Sequence, residues 1–188
     1  MSDLIAAIST APVPAAIGIL RLSGPGAVEA VDRVFRAARG GPMAAAPDRK
    51  LVYGTLLDGQ GSPIDQVLAT VSRGPNSYTG EDTAELQCHG SPTMLAAGLE
   101  ALLAAGARQA GPGEFTRRAF LNGRMDLVQA EAVIDIIEAE SRRGGEKRRR
   151  PAGRRAQPAH RRRLLRPAGR GGALWRAAGL SRRGHRAL

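Results

Sequence analysis

The sequence predicts an α+β fold in which helices pack on a mixed sheet. Residues 1–141 contain short runs rich in β-branched side chains, typical of strands, and segments whose apolar side chains recur at helical spacing. These segments mix without the strict strand–helix–strand alternation of a doubly wound parallel sheet. Residues 142–188 contain neither pattern, and we therefore expect a folded domain at 1–141 followed by a disordered tail at 142–188.

The first predicted elements are two strands and a helix. Leu4–Ser9 and Ala16–Leu22 are apolar runs with β-branched residues, and a glycine- and proline-rich turn at Ser23–Gly26 ends the second run. Pro25 suits the first turn of a helix, because an N–H at that position would have no intrahelical partner. The apolar face of this helix is formed by side chains at helical spacing: Val28, Val31, Val34 and Phe35.

Strands and helices continue through the rest of the domain. Leu51–Leu57 and Ile64–Ser72 are predicted to pair, because the Asp-Gly-Gln-Gly segment after the first of them has turn chemistry. Ser91 as N-cap and Pro92 at the first helical position predict a helix that ends near Ala105. The remaining predicted elements are strands at Thr83–His89 and Arg108–Ala110 and helices at Glu114–Leu121 and Met125–Glu140.

Composition excludes several classes of protein. Cys88 is the single cysteine, which excludes an intramolecular disulfide framework and a cysteine-based zinc site. The three histidines lie far apart, so no metal-ligand spacing is present. Neither lysine follows a glycine, so there is no Gly-Lys-Ser/Thr phosphate loop. Without an apolar run of 18 residues or a signal-peptide pattern, the expectation is a soluble cytoplasmic protein.

Residues 142–188 differ sharply in composition from the domain before them. Arginine, alanine, glycine and proline supply 35 of the 47 positions, and the net charge changes from −5 over residues 1–141 to +16. Such a segment buries too little apolar surface to offset the entropy of ordering. Three interpretations stay open: a basic arm that binds nucleic-acid phosphates, an inert solvated tail, or a shifted reading frame. Because these four amino acids have GC-rich codons, an out-of-frame stretch of a GC-rich gene would have this composition. The abrupt change near residues 142–145 favours the shifted frame.

Two charged side chains interrupt otherwise apolar strands. Arg21 is suited to bidentate pairing with a ligand carboxylate or phosphate, and Glu85 can accept the paired N–H donors of an amino-pyrimidine. The alternative for each is an outward-facing charge on the solvent side of the sheet. Cys88 and His89 are neighbours on a predicted strand and point to opposite faces, which favours a buried thiol and an exposed imidazole over a catalytic pair.

Two long loop-containing segments carry the most specific signal. They read GPNSYTGEDTAELQCHGSP (residues 74–92) and GPGEFTRRAFLNGRMDLVQAEAVIDIIEAES (residues 111–141), and their glycines and hydrogen-bonding side chains are typical of binding loops. Together with the opening DLIAAIST…IGILRLSGP, they resemble the N-terminal domain of the MnmE (TrmE) tRNA-modification GTPases. The resemblance covers residues 1–141 and stops at about Ser141.

This resemblance implies a fold and a function. The domain is expected to resemble the folate-binding part of the glycine-cleavage T-protein and to form a homodimer. The expected cofactor is a tetrahydrofolate carrying a one-carbon unit, either 5-formyltetrahydrofolate or 5,10-methylenetetrahydrofolate. Family members continue into a helical domain and an inserted GTPase domain, whereas the resemblance here ends at about Ser141. Because the chain also lacks the phosphate loop, we expect no GTP hydrolysis by it. With the flavoprotein MnmG they modify C5 of the wobble uridine in certain tRNAs, so MnmG and tRNA are the implied partners and a membrane is not.

The resemblance also assigns three cofactor-binding residues and no catalytic or metal-binding residue. By position, Arg21 matches the family arginine at the folate site and Glu85 matches a glutamate suited to the amino-pyrimidine of the pterin. Arg124 stands where many members have lysine. We expect Arg21 and Glu85 to hold opposite ends of a reduced pteridine beneath the two loops. The alternatives are a ligand-free module that dimerises or docks on MnmG, and RNA binding through the basic tail.

Overall fold

The computed structural model describes residues 3–133 and residue 135. The strands are β1 (Ile5–Ile8), β2 (Ala15–Ser23), β3 (Phe35–Ala37), β4 (Val52–Leu57), β5 (Pro63–Ser72), β6 (Thr83–Gly90) and β7 (Arg108–Gln109). The helices are α1 (Ala27–Val34), α2 (Pro92–Ala104) and α3 (Glu114–Leu121), with a 3-10 turn at Met43–Ala45. Residues 127–133 are also helical.

The strands form one mixed sheet in the order β3–β4–β5–β6–β2–β1–β7. Neighbouring strands are antiparallel except β1 and β7, which run parallel. At the centre, β2 pairs with β6, and residues directly opposite each other point to the same face. The register therefore places Leu20 beside Leu86 on one face, and Arg21 beside Glu85 on the other.

Two helices cover the face of the sheet that carries Leu20 and Leu86, and both of these leucines are fully buried. Helix α2 approaches this face so closely that a Cβ atom at Gly98 would lie 2.6 Å from Cδ1 of Leu20. Helix α1 packs beside it through five buried side chains, Ala27, Val28, Ala30, Val31 and Val34. Removal of these aliphatic side chains from water is the main stabilising contribution to the fold.

The predicted α+β fold with helices on a mixed sheet is confirmed. The assignment of Phe35 to the first helix was wrong, because Phe35 has extended backbone angles and begins β3 opposite Leu56. Its side chain is buried in the same core as that of Val34, so apolar spacing alone could not distinguish a helix from a strand there.

The helix starts also differ in detail from the predictions. Helix α1 begins at Ala27 with Gly26 at its N-cap, so Pro25 lies in the preceding turn. Ser91 and Pro92 occupy the predicted N-cap and first helical positions of α2, but the Ser91 side chain makes no capping hydrogen bond.

The predicted boundary at residue 141, the tail at 142–188 and the end of the Met125–Glu140 helix lie outside the described residues. In the part of the chain that the structure describes, no helix is both long and apolar enough to cross a membrane.

Candidate functional site

An ion pair between the two central strands lies on the face of the sheet opposite α1 and α2. Arg21 on β2 is directly opposite Glu85 on β6. Nε of Arg21 donates to Oε1 of Glu85 at 2.8 Å, and Nη2 lies 2.7 Å from the same oxygen. The two side chains are 31% and 29% exposed, so the pair is partly shielded but remains open to a ligand.

Two aromatic rings lie near the guanidinium of Arg21. The ring centroid of Tyr78 is 5.7 Å and that of Phe115 is 5.9 Å from Cζ of Arg21, within the range of cation–π attraction. Tyr78 belongs to the loop between β5 and β6, and Phe115 lies in the first turn of α3. The hydroxyl groups of Tyr78 and Thr116 lie 3.1 Å apart and join the two segments.

A cavity of about 790 Å³ opens beside these groups. Its size is typical of small-molecule sites, which combine apolar walls with a few polar groups. The side chain of Arg21 supplies a cation, and the glycine-rich segment 111–113 supplies backbone. The lining includes Ala7, Ile8, Arg21, Tyr78, Phe115 and Thr116. A planar conjugated molecule with hydrogen-bonding edges matches this combination of aromatic walls and charge.

A largely buried arginine on α3 links the two loops beside the cavity. Nη1 of Arg118 donates to Oε2 of Glu81 at 3.1 Å and to the backbone carbonyl of Asp3 at 2.6 Å. Nη2 donates to Oδ1 of Asp3 at 2.7 Å and to Oε1 of Glu114 at 3.0 Å. The hydroxyl of Ser23 donates to Oε2 of Glu81 at 2.7 Å, which ties the network to the end of β2.

A second arginine, Arg108, binds two of these carboxylates from the solvent side. Arg108 contacts Asp3 at 2.7 Å and Glu114 at 2.8 Å. Its hydrogen bond holds the pKa of the Asp3 carboxyl well below its usual range, against the effect of desolvation. The same donor lowers the pKa of Glu114 to about 2, again against desolvation. Both carboxylates are therefore ionised at neutral pH and available to their arginine partners.

Gly24 allows the chain to pass close to this network. Its φ of +120° is one that side-chain-bearing residues rarely adopt. A Cβ atom at Gly24 would lie 2.5 Å from the carbonyl oxygen of Asp3 and 3.1 Å from Nη1 of Arg118. The close approach therefore requires glycine at this position.

The structure brings two of the three residues predicted to bind cofactor into contact. Arg21 and Glu85 share one face of the sheet and bond to each other. That they hold opposite ends of a reduced pteridine stays a prediction. Arg124 is exposed and packs its aliphatic stem against Gly80, and neither Arg124 nor Glu85 is among the residues that line the 790 Å³ cavity.

Cys88 and His89 point to opposite faces of β6, as the sequence predicts. Cys88 is buried, and desolvation followed by the nearby charge of Asp65 raises the pKa of its thiol to about 12. His89 is exposed, and its Nδ1 lies 2.7 Å from Oδ1 of Asp65. A buried thiol that is protonated at neutral pH is unsuited to nucleophilic chemistry.

Sequence reasoning missed the residues that shape the cavity and join its loops: Asp3, Tyr78, Glu81, Phe115 and Arg118. Glu114 and Arg118 are spaced i,i+4, and this spacing was an available sign of an ion pair on one side of α3. Nothing in the sequence separates Arg118 from its neighbour Arg117, since only the packing of α3 decides which of them is buried.

Comparison with known proteins finds relatives of this chain over most of its described residues. Residues 4–124 match the family model described as "GTP-binding protein TrmE N-terminus". The tRNA modification GTPase MnmE of Symbiobacterium thermophilum is 52% identical over 141 residues, covering 75% of this chain and 31% of the relative. That of Salinibacter ruber is 54% identical over 140 residues, covering 74% and 30%.

The chain spans about a third of the length of the curated relatives it matches. The matched region contains the central strands, the ion pair, both loops and α3. The chain therefore belongs to the family of the TrmE N-terminal domain, the N-terminal segment of the tRNA modification GTPases named MnmE.

Proposed function

We propose that this chain binds a reduced folate carrying a one-carbon unit, either 5-formyltetrahydrofolate or 5,10-methylenetetrahydrofolate. The observation that carries the proposal is the Arg21–Glu85 pair beside a 790 Å³ cavity with aromatic walls. Reduced folates combine a flat amino-pyrimidine edge with carbonyl and carboxylate oxygens, and this site offers partners for both. Family membership supports the same ligand class.

The geometry of the ion pair leaves hydrogen-bonding capacity on each side chain. Both contacts use Oε1 of Glu85, and among the described residues Oε2 accepts no hydrogen bond. Oε2 can accept an N–H of the amino-pyrimidine, while Oε1 stays with Arg21. Arg21 has five N–H donors and uses Nε and Nη2 for Glu85, which leaves others for a ligand oxygen. With the ion pair kept as it is, Arg21 and Glu85 would bind neighbouring atoms at one end of the ligand.

Calorimetric titration of the chain with 5-formyltetrahydrofolate tests this proposal. We expect saturable binding, and Glu85→Gln should weaken it about tenfold, because an amide offers a poorer acceptor to the amino-pyrimidine and to Arg21. Gln87→Glu is a matched control on the same strand and face. Absence of heat from folded protein at concentrations well above micromolar would refute folate binding.

We also propose that the chain forms a homodimer. The face of the sheet opposite the helices exposes 59% of Ile17 and 55% of Tyr53, beside a shallow cavity of about 460 Å³. Exposed apolar side chains grouped in this way are typical of protein interfaces. This surface also fits the ligand-free interaction module considered above, so folate binding and association need separate tests.

Sedimentation equilibrium of the chain measures the association directly. Ile17→Glu should shift a dimer toward the monomer, because it places a charge in the apolar patch. Leu121→Glu is the control, since Leu121 is exposed on α3 rather than on the sheet. A wild-type chain that is monomeric at tens of micromolar would refute the dimer without affecting the folate proposal.

As the N-terminal segment of a tRNA modification GTPase, the chain would serve modification of C5 of the wobble uridine together with the flavoprotein MnmG. Family membership supports this role. A pull-down of MnmG by the chain, with and without 5-formyltetrahydrofolate, tests the partner.

RNA binding through the basic tail concerns residues outside the described part of the chain. Comparing tRNA affinity before and after deletion of residues 142–188 tests it.

A further inference from the structure

Arg118 connects the two loops beside the cavity without lining it. Its side chain is 10% exposed and lies within 3.1 Å of Glu81, in the loop between β5 and β6. On its own helix it contacts Glu114, one turn away. The aromatic rings that flank Arg21 belong to these same two segments, Tyr78 to the loop and Phe115 to α3.

We propose that Arg118 is a positioning residue for the ligand site, holding the loop and α3 at the separation at which both aromatic rings contact Arg21. The inference rests on the proposed function only in the identity of the ligand as a reduced folate. Arg118 is not among the residues that line the cavity, so its effect on the ligand acts through the loops.

Arg118 is connected to the two aromatic rings through short segments of chain. Phe115 lies three residues before Arg118 on α3, so the two move together when the helix moves. Glu81 lies three residues after Tyr78, and its Oε2 also accepts the hydroxyl of Ser23 from β2. The network therefore fixes both aromatic rings relative to the strand that carries Arg21.

The charges around Arg118 make it an ionic link between the two loops. Glu81 and Glu114 are only 14% and 17% exposed, and Arg118 lies between them. Without the guanidinium of Arg118, Arg108 still pairs with Glu114, but the ion pairs that join Glu81 to α3 through Arg118 are lost, which favours separation of the loop from α3. The apolar core lies on the opposite face of the sheet.

Comparison of Arg118→Gln with Arg117→Gln in the full chain tests the proposal. Both substitutions remove one positive charge from α3, but Arg117 is exposed. We expect Arg118→Gln to raise the Kd for 5-formyltetrahydrofolate about tenfold or more, and Arg117→Gln to change it less than about twofold. Arg118→Lys should recover part of the loss, since an ammonium ion can pair with one carboxylate but cannot span both sides of the network.

Arg108→Gln provides a second variant if Arg118→Gln does not fold. Arg108 binds Asp3 and Glu114 from the solvent side and is 49% exposed, so its replacement leaves the buried part intact. We expect a smaller rise in Kd, about twofold to fivefold. If both variants are folded and bind the ligand as the wild type does, the proposal is overturned.

Amide hydrogen exchange of the unliganded chain separates this proposal from folate binding. Arg118→Gln should accelerate exchange in residues 74–82 and 111–117 at least several-fold relative to Arg117→Gln, while β2 and β6 retain wild-type protection. That pattern supports the positioning role even if no folate binds to the wild type, in which case only the proposed function fails. Exchange that is unchanged in both loops, or accelerated equally in β2 and β6, overturns it.

Discussion

The two faces of the central sheet are built from the same strands but by different interactions. One face carries Leu20 and Leu86, and helices cover it completely enough to leave both side chains without solvent exposure. The other carries Arg21 and Glu85 and is bordered by loops that charged hydrogen bonds hold together. Apolar burial and charged contacts are therefore separated onto the two faces of a single sheet.

This separation has a physical cause. Burial of aliphatic surface is favourable in any arrangement that excludes water, so the covered face tolerates variation in detail. A partly solvated ion pair adds little to the free energy of unfolding, so the open face should contribute little to stability. Substitutions on the helix-covered face should therefore lower the free energy of unfolding, whereas substitutions on the open face should lower ligand affinity.

Replacement of a core leucine should cause the largest loss of stability. Leu86→Ala removes a fully buried side chain from the helix-covered face, and the free energy of unfolding should fall by about 2–5 kcal/mol. Gln87 is the next residue on β6 and points to the other face. Gln87→Ala should therefore change the free energy of unfolding by less than about 0.5 kcal/mol. Urea denaturation measures both, and equal losses would contradict the separation of the faces.

Replacement of Arg21 should lower ligand affinity much more than it lowers stability. Arg21→Met should lower affinity for 5-formyltetrahydrofolate about 10- to 100-fold, because a charge-assisted contact with the ligand is lost. The free energy of unfolding should change by less than about 1 kcal/mol, since the Arg21–Glu85 pair is partly exposed. Arg36→Met on β3 is the control. Titration calorimetry measures the affinity, and urea denaturation measures the free energy of unfolding. A large stability loss with unchanged affinity would contradict the assignment.

Acidification should weaken the network that joins the loops. The pKa of Glu114 is lowered from 4.5 to about 2 in the folded chain, so its ionisation stabilises the fold above pH 4.5. This contribution should decline between pH 4.5 and 2. The difference in unfolding free energy between wild type and Glu114→Gln, about 1 kcal/mol or less, should be largest above pH 5 and vanish near pH 2. A difference independent of pH would show that the carboxylate charge is not responsible.

The smallest effect is expected at Arg124. Arg124→Lys keeps the charge and most of the stem that packs against Gly80. Affinity for 5-formyltetrahydrofolate should change less than about threefold, or about 0.6 kcal/mol. A tenfold loss by calorimetry would instead show that Arg124 reaches the ligand when it binds.

Much of this arrangement followed from local patterns in the sequence. Apolar spacing and turn residues located the strands and helices, because side chains alternate on a strand and repeat every 3.6 residues on a helix. The same alternation predicted that Cys88 and His89 would face opposite ways. The loop motifs identified the family, and Arg21 and Glu85 stood out as charges within apolar runs.

The contacts between distant segments were decided only by the tertiary structure. Register between β2 and β6 placed Arg21 directly opposite Glu85 and joined them in an ion pair, which the sequence alone did not show. Packing of α3 buried Arg118 and exposed Arg117, although the two are adjacent and chemically identical. A sequence specifies which side chains tend to be buried, whereas the pairing of charges 37 or 115 residues apart depends on where the folded backbone places them.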